Sequence, residues 1–400
     1  MDISQGLYYS DVNTPEPSAV VSRRGEDRIR AGHPWIYRSD VASVSAQAGD
    51  VVRVVAANRR PLGDALFSDR SQITLRMVSQ GDARFGEHGW RDRIRAAAAF
   101  RDTLGIDATA YRLVHGEADG LPSLIVDRYA DWLVLQSLSQ ATDRHLSAIV
   151  EALVELLAPK GILARNDPKV RTLEGLEQTV EVLYGEVPEF IEVREGPVTY
   201  QVDPRHGQKT GLFLDQRENR EAAARYARGR LLDCFSYNGG FALHLAGKCD
   251  SVLALDASAD AVARIAANAA RNALPHVTAR EGNVFDELRY FERDGERFDI
   301  IVLDPPAFAK NKASVEKALS GYKDINLRAL RLLAPGGVLV TCSCSYNVDE
   351  PLFLQVLAEA AADARAHATI LEKRMQGRDH PVLLTVPETF YLKCVILRKS

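Results

Sequence analysis

The side chains best able to do chemistry in this 400-residue chain sit in two short stretches near its end. Asp304-Pro305-Pro306-Ala307-Phe308 follows the apolar run Ile300-Ile301-Val302-Leu303, and Cys342-Ser343-Cys344-Ser345 follows Val338-Leu339-Val340. In an open α/β sheet, ligands bind outside the carboxyl ends of parallel strands, so both stretches are expected to face one crevice. One brings a carboxylate and an aromatic ring, the other a thiol. That set suits a flat, electron-poor ring such as a pyrimidine. Carbon 5 of cytosine is a poor nucleophile, but attack of a thiolate on C6 makes C5 enamine-like and able to take a methyl group from a sulfonium. Cys is the side chain that supplies enough thiolate near neutral pH. An acid near N3 would stabilise the adduct, and Asp304 is placed for that. Two thiols compete, since strand alternation puts Cys342 and Cys344 on the same face. Cys342 lies deeper in the strand, where a free Cys usually behaves as a small core residue.

A second half-site lies upstream. Asp233-Cys234-Phe235-Ser236-Tyr237-Asn238-Gly239-Gly240-Phe241 joins an apolar strand to a helix. Gly239 and Gly240 allow a sharp turn and close approach of backbone to a ligand. Asp256 ends the next strand, twenty-three residues after Asp233, an offset at which a carboxylate can accept from both ribose hydroxyls of an adenosine. A plain βαβ unit with a tight turn would look similar. The dinucleotide fingerprint G-x-G-x-x-G is absent, and Tyr237-Asn238 fill the space that a pyrophosphate would need. Adenosine without phosphate fits better, and S-adenosylmethionine is such a ligand. Its candidate contacts are Asp233, Phe235, Tyr237, Asn238, Gly239, Asp256 and Asp304. Asn283 is either an adenine contact or a helix N-cap.

These residues need an alternating frame to hold them. From Arg230 onward strand, turn and helix succeed one another: Leu231–Phe235, Val252–Leu255, the Ala-rich helix 259–272, the strand ending at Asp304, a helix over 322–333, the strand 338–342 and a last strand over 391–398. This argues for a mostly parallel, doubly wound α/β sheet. Earlier, β-rich runs such as Val51–Val55 and Ile73–Val78 are separated by turn signals and suggest a small β-barrel or sandwich. Between them lies a mixed α+β stretch. The expected division is a loose leader over 1–17, a small β domain over 18–90, a central α+β domain over 91–202 and the doubly wound domain over 203–400. The length alone favours more than one core.

Composition is that of an ordinary globular chain, 46% apolar and 26% charged, with net charge −4. No nucleic-acid footprint covers the whole chain, but Val20 to Gln80 holds ten Arg against six Asp or Glu. Such a local excess is either a solvated face or an RNA contact. The five Cys are odd in number and lie in the second half. With no signal-peptide pattern and no bilayer-length apolar run, the reading is a cytoplasmic protein with reduced thiols and no membrane contact. No Cys or His spacing suits structural zinc.

The Asp304-to-Lys310 stretch, the Gly-Gly-Phe turn and Ser343-Cys344-Ser345 together resemble the RlmI-type 23S rRNA cytosine-C5 methyltransferases. Gln208-Lys209-Thr210-Gly211-Leu212-Phe213-Leu214-Asp215-Gln216-Arg217 is similar to the segment before their methyltransferase core. Arg112–Pro122 resembles their central domain, and Gly32-His33-Pro34-Trp35-Ile36-Tyr37 resembles the start of their N-terminal PUA domain. The resemblance runs from about Val20 to the end. It implies a class I, Rossmann-like methyltransferase sheet behind a PUA-like RNA-binding domain. It also implies S-adenosylmethionine as cofactor, 23S rRNA or a large-subunit precursor as partner, and Cys344 as the nucleophile. It implies no metal, so His115, Glu117 and Asp119 read as polar structure around a turn. Lys209 and Arg217 are candidates for the methionine carboxylate or for RNA phosphates. Pro305 and Phe308 are candidates for contact with a flipped-out base.

One feature departs from many RNA cytosine-C5 enzymes. Where they carry a second Cys in the Asp-Pro stretch, this chain has Pro306 and Ala307, so the base that removes the C5 proton is unassigned. Two competing functions stay open: methylation of a base nitrogen, for example on guanine, and RNA binding in assembly by an inactive methyltransferase fold. The target nucleotide, the choice between naked rRNA and a subunit, and monomer against homodimer are not readable from the residues.

Overall fold

The computed structural model describes residues 16–309 and 312–400; most of the expected leader, and Lys310 of the Asp304 stretch, lie outside the described residues. The chain divides into two compact units. One holds the described residues through Trp90 together with Leu138–Ile149 and Pro168–Gln178; the other holds Arg91–Ser137, Val150–Asp167 and Thr179–Ser400.

The first unit is built on a six-stranded sheet, in the spatial order Trp35–Tyr37, Ile73–Met77, Pro61–Phe67, Val51–Val55, Ser18–Val21, Val41–Ser45. Alternation positions its core. In Val51–Val55 the even residues Val52 and Val54 are fully buried beside Ile36 and Leu75, and Arg53, on the other face, pairs with the buried Asp64 at 3.1 Å. Helix Arg23–Arg30 starts on Ser22, whose side chain accepts from Gly25 N, and ends with Arg28 and Arg30 at its negative pole. Many of the Arg residues counted in the sequence are paired inside this unit. Arg24 and Arg28 meet Asp40, Arg30 and Arg60 meet Glu26, and Arg76 makes a buried pair with Glu174 at 2.8 Å. Arg23, Arg59 and Arg70 are exposed, Arg23 and Arg70 with only local pairs to Asp27 at 3.3 Å and Asp69 at 3.9 Å.

The second unit carries a five-stranded sheet, Thr179–Gly185, Gly161–Asn166, Trp132–Ser137, Leu124–Tyr129 and Ala110–His115 in spatial order, and the hairpin Ile191–Glu195/Val198–Val202. It also carries a seven-stranded sheet, whose strands are numbered here β1 (Arg230–Cys234), β2 (Ser251–Asp256), β3 (Val277–Glu281), β4 (Phe298–Leu303), β5 (Leu333–Ser343), β6 (Ala368–Arg374) and β7 (Lys393–Lys399). Their order is β3-β2-β1-β4-β5-β7-β6. All neighbouring pairs are parallel except those of β7, which runs antiparallel to β5 and β6. The expected mostly parallel, doubly wound sheet is therefore present. Successive residues of β4 enter opposite cores: Ile300 and Val302 pack with helix Gly240–Ala246, Ile301 and Leu303 with helix Val315–Leu332. Burial on both faces explains why β4 reads as a continuous apolar run.

Two boundaries differ from the sequence reading. The helix before β5 begins at Val315, seven residues ahead of the expected start at Tyr322, because Ala318 already packs into the core. Strand β5 starts at Leu333 and carries Pro335-Gly336-Gly337 within it, where Gly336 takes a φ of +76° open to glycine. Among the described residues no helix is long and apolar enough to cross a membrane.

Candidate active site

The carboxyl ends of β1, β2, β4 and β5 open into a cavity of about 490 Å³. Asp233, Phe235, Tyr237, Asn238, Asp256, Asp304, Pro305, Cys344 and Lys209, nine of the residues picked from the sequence, line it together. The turn after β1 achieves this at a conformational cost. Phe235 and Tyr237 take positive φ values of 63° and 52°, before Gly239 at 82°. Left-handed non-glycine residues are strained and persist where surrounding contacts over-determine them. Here the Tyr237 N–H donates to Asp256 Oδ2 at 2.9 Å, and the Tyr237 hydroxyl accepts from Gln208 N at 2.7 Å and donates to the Gly211 carbonyl at 3.2 Å. Asn238 accepts from Arg264 Nε at 3.0 Å.

Asp233 is the most strongly constrained carboxylate on this side. Its Oδ2 accepts from Ser236 Oγ at 2.5 Å and from Ala242 N at 2.9 Å, while Oδ1 is buried without a hydrogen-bond partner among the described residues. Burial, reinforced by the neighbouring Asp304 and Asp256 carboxylates, pushes it up to about 7. Its folded value lies above the unfolded one. Its stabilising contribution is therefore complete below about pH 4 and is lost as pH rises through about 7. Asp233→Asn is expected to raise the melting temperature of the ligand-free protein at pH 8, by an amount worth roughly 2 kcal/mol or more, and to do little at pH 4. Equal melting temperatures at pH 8 would show that the carboxylate is not under this strain.

At the end of the adjacent strand β4, Asp304 accepts from Gln216 Nε2 at 2.8 Å. Burial and then the Asp215 carboxylate push it up to about 6 against the pull of that hydrogen bond. Cys344 is half-buried, and its thiol donates weakly to the Pro305 carbonyl at 3.8 Å. Burial first, then Asp304, pushes the thiol up to about 11. Cys344 and Asp304 thus oppose each other's ionisation. The flanking serines fix the step. Ser343 Oγ and Ser345 Oγ both bond the Tyr322 hydroxyl, at 3.0 and 2.9 Å, and Ser345 Oγ accepts from Ala309 N at 3.1 Å. With both neighbours turned to that side, the Cys344 side chain is left for the cavity. Cys342 is fully buried in the sheet core, opposite Cys394 on β7.

Four sequence candidates do not line the cavity. Arg217 is 2% exposed and pairs with Asp379 at 3.3 Å, 162 residues away, along with Glu218 and Glu221. Its partners are acidic side chains, and it does not line the cavity. Asn283 caps helix Val284–Arg293, its side chain accepting from Phe285 N. Phe308 is packed against Tyr322, with ring centroids 4.7 Å apart, and against Phe285 and Phe235. Gly239 shapes the turn, while Gly240 is the glycine on the cavity wall. The would-be cluster His115, Glu117, Asp119 does not converge on one point. Asp119 takes Arg101 and the His115 backbone N–H, while the His115 ring meets Arg112 and His380.

The structure adds lining residues that the sequence reading passed over: Asp215, Gln216, Arg220 and Tyr391. Asp215 Oδ2 accepts from Lys209 Nζ at 2.7 Å and the Tyr391 hydroxyl at 2.8 Å, and the Lys209 ammonium and burial-enforced hydrogen bonds hold its carboxyl far below the usual range against the cost of burial. Arg220 is locked in a two-pronged pair with Glu195 at 2.7 and 2.8 Å. Asp215-Gln216 stood inside the stretch 208–217; its charged ends Lys209 and Arg217 drew attention away from the polar pair between them.

Residues 20–80 match a PUA-like domain model, and residues 111–382 match the model of S-adenosylmethionine-dependent methyltransferases. Among curated proteins, the ribosomal RNA large subunit methyltransferase I of Tolumonas auensis is 41% identical over 384 residues, covering 93% of this chain and 97% of that protein. The protein of the same name from Erwinia tasmaniensis is 39% identical over 94% of this chain and 97% of its own length. Among solved structures, a SAM-dependent methyltransferase from Streptococcus mutans shares the fold with a TM-score of 0.80 at 21% identity, covering 95% of this chain and 99% of that one. Another methyltransferase, complexed with SAH, reaches 0.82 at 22% identity with the same coverage. The chain therefore belongs to the S-adenosylmethionine-dependent methyltransferases with an N-terminal PUA-like domain, alongside the ribosomal RNA large subunit methyltransferases I.

Proposed function

We propose that this protein methylates carbon 5 of a cytosine in large-subunit (23S) rRNA through a Cys344 thiolate adduct. The observation that carries this reading is the convergence of Cys344 and Asp304 on one cavity with Asp233 and Asp256. The other four cysteines are buried and none of them lines it. The 23S substrate class is supported by the relatives' shared name and near full-length coverage.

The residues present suit S-adenosylmethionine. The unpartnered Asp233 Oδ1 offers an acceptor to an ammonium, and Asp256, partly exposed at the end of β2, has lone pairs left for ribose hydroxyls. Bound there, the cofactor supplies a methyl group on a cationic sulfur. The chain's own residues do the rest. The Cys344 proton passes to Asp304 as the thiolate forms, which removes the repulsion between their two negative charges. The thiolate adds to C6, and the protonated Asp304 carboxyl donates toward N3, so negative charge on the ring is met by a proton. Pro305 lines the ring's slot. The acceptor of the C5 proton is not assigned.

On this reading residues 18–90 supply RNA affinity, 91–202 form the central segment and 203–400 carry the chemistry. Deleting the first segment would be a poor test, because Arg76 and Ser68 bond Glu174 from a distant part of the same unit. Substituting the exposed Arg23, Arg59 and Arg70 by Ser is cleaner. It is expected to weaken RNA binding and to reduce the slope of log K against log salt by about one per lost phosphate contact, with S-adenosylmethionine affinity unchanged. An unaltered salt slope would move the RNA contact elsewhere.

Mass mapping of rRNA from cells with and without the protein tests the function. Loss of one 5-methylcytosine from 23S rRNA is expected. Loss of a methylated guanine would establish base-nitrogen chemistry instead, and an unchanged map would favour an RNA-binding assembly role.

A further inference from the structure

Lys393 is the most deeply buried lysine near the cavity, and nothing in the chemistry above uses it. It starts β7 opposite Ser343 of β5 and is 2% exposed. Its Nζ donates to the Ser345 carbonyl at 2.8 Å and to the Tyr391 carbonyl at 2.9 Å. An ammonium has three donors, and among the described residues no carboxylate lies within 4.0 Å of this one, so its charge has no ion-pair partner. Buried charges are normally paired. The two carbonyls that hold it belong to the residue after Cys344 and to a residue of the cavity wall.

We propose that Lys393 is a positioning residue for methyl transfer, the buried cation that favours the thiolate of Cys344 while holding its loop. This inference rests on the reading of Cys344 as nucleophile. The charged groups facing the Cys344 thiol are Asp304 and Asp215, which oppose the thiolate, and Lys209 and Lys393, which favour it. Lys209 is already spent on Asp215 at 2.7 Å. Lys393 faces Cys344 and, more weakly, Asp349. Burial pulls its ammonium down to about 8, and a thiolate at Cys344 would restore it. The pair is therefore reciprocal: each ion is costly alone and less so beside the other.

The test is the pH dependence of Cys344 alkylation by iodoacetamide in the full-length protein, followed by peptide mapping, with Lys393→Gln as the variant. Gln keeps a donor for the carbonyls and removes the charge. Alkylation is expected to slow roughly tenfold at pH 8.5 and its midpoint to rise by about one pH unit, with Lys393→Arg close to wild type. Lys393→Met is measured alongside, so that if the Gln variant loses its cooperative melt the Met variant decides. A folded neutral variant whose Cys344 alkylates at the wild-type rate and pH profile overturns the proposal, and a purely structural role would give that result with a lowered melting temperature. Failure of the Cys344 reading is distinguishable, because RNA adducts of the wild-type protein would then map to another residue whatever Lys393 does to alkylation.

Discussion

Cys344→Ser is expected to reduce methyl transfer by roughly four orders of magnitude or more, because a hydroxyl yields almost no alkoxide at neutral pH and the adduct cannot form. The fold should survive. The side chain is half-buried at the cavity edge, its one hydrogen bond is the weak 3.8 Å contact to Pro305, and Ser is nearly isosteric. S-adenosylmethionine binding measured by calorimetry should stay near wild type. Cys342→Ser should behave in the opposite way. Cys342 is fully buried against Cys394, so a hydroxyl there lowers stability by about 1–3 kcal/mol and leaves the rate per folded molecule intact. Full activity of the double variant would discard the C5 mechanism in favour of base-nitrogen chemistry.

Asp304→Asn should lower methyl transfer by roughly 10² to 10⁴, the range for loss of a positioned acid. The same substitution should make Cys344 more reactive toward iodoacetamide. After burial, the Asp304 carboxylate is the strongest influence opposing the thiolate, and removing it lets the thiol fall from about 11. Unfolding would also expose the thiol and speed its alkylation, so both rates are compared on protein that keeps the wild-type cooperative melt. A pH–rate limb near 6, the value to which Asp304 is pushed, should vanish in the variant. Unchanged activity would remove Asp304 from the proton pathway, and an unchanged alkylation rate would mean that the two groups do not share one electrostatic environment.

The doubly wound sheet was legible because its strands announce themselves. Runs such as Phe298–Leu303 are apolar on both faces, and each ends in residues a core would not tolerate. Local pattern together with the strand-end rule brought Asp233, Asp256, Asp304 and Cys344 to one place. What stayed hidden depends on distant partners. Arg217 looked like a free base in a helix until the structure set Asp379 against it. Lys393 drew no notice in the last strand, and its burial follows from β7 inserting between β5 and β6. Asn283 and Phe308 each had a local role, a cap and an aromatic contact, that satisfied them without a ligand. The compact unit formed by the described residues through Trp90 with Leu138–Ile149 and Pro168–Gln178 is discontinuous in sequence, and no periodicity reports such an assembly.

The mechanism stands or falls on which atom bonds the base. RNA bearing 5-fluorocytosine at the target position, incubated with wild-type protein and S-adenosylmethionine, should form a covalent complex, because fluorine blocks the elimination that frees the product. Digestion and mass spectrometry should place the adduct on Cys344, and the Cys344→Ser protein should form none. An adduct on the peptide at Cys342, or complete methyl transfer to ordinary RNA by a protein that never forms the trapped complex, would contradict it.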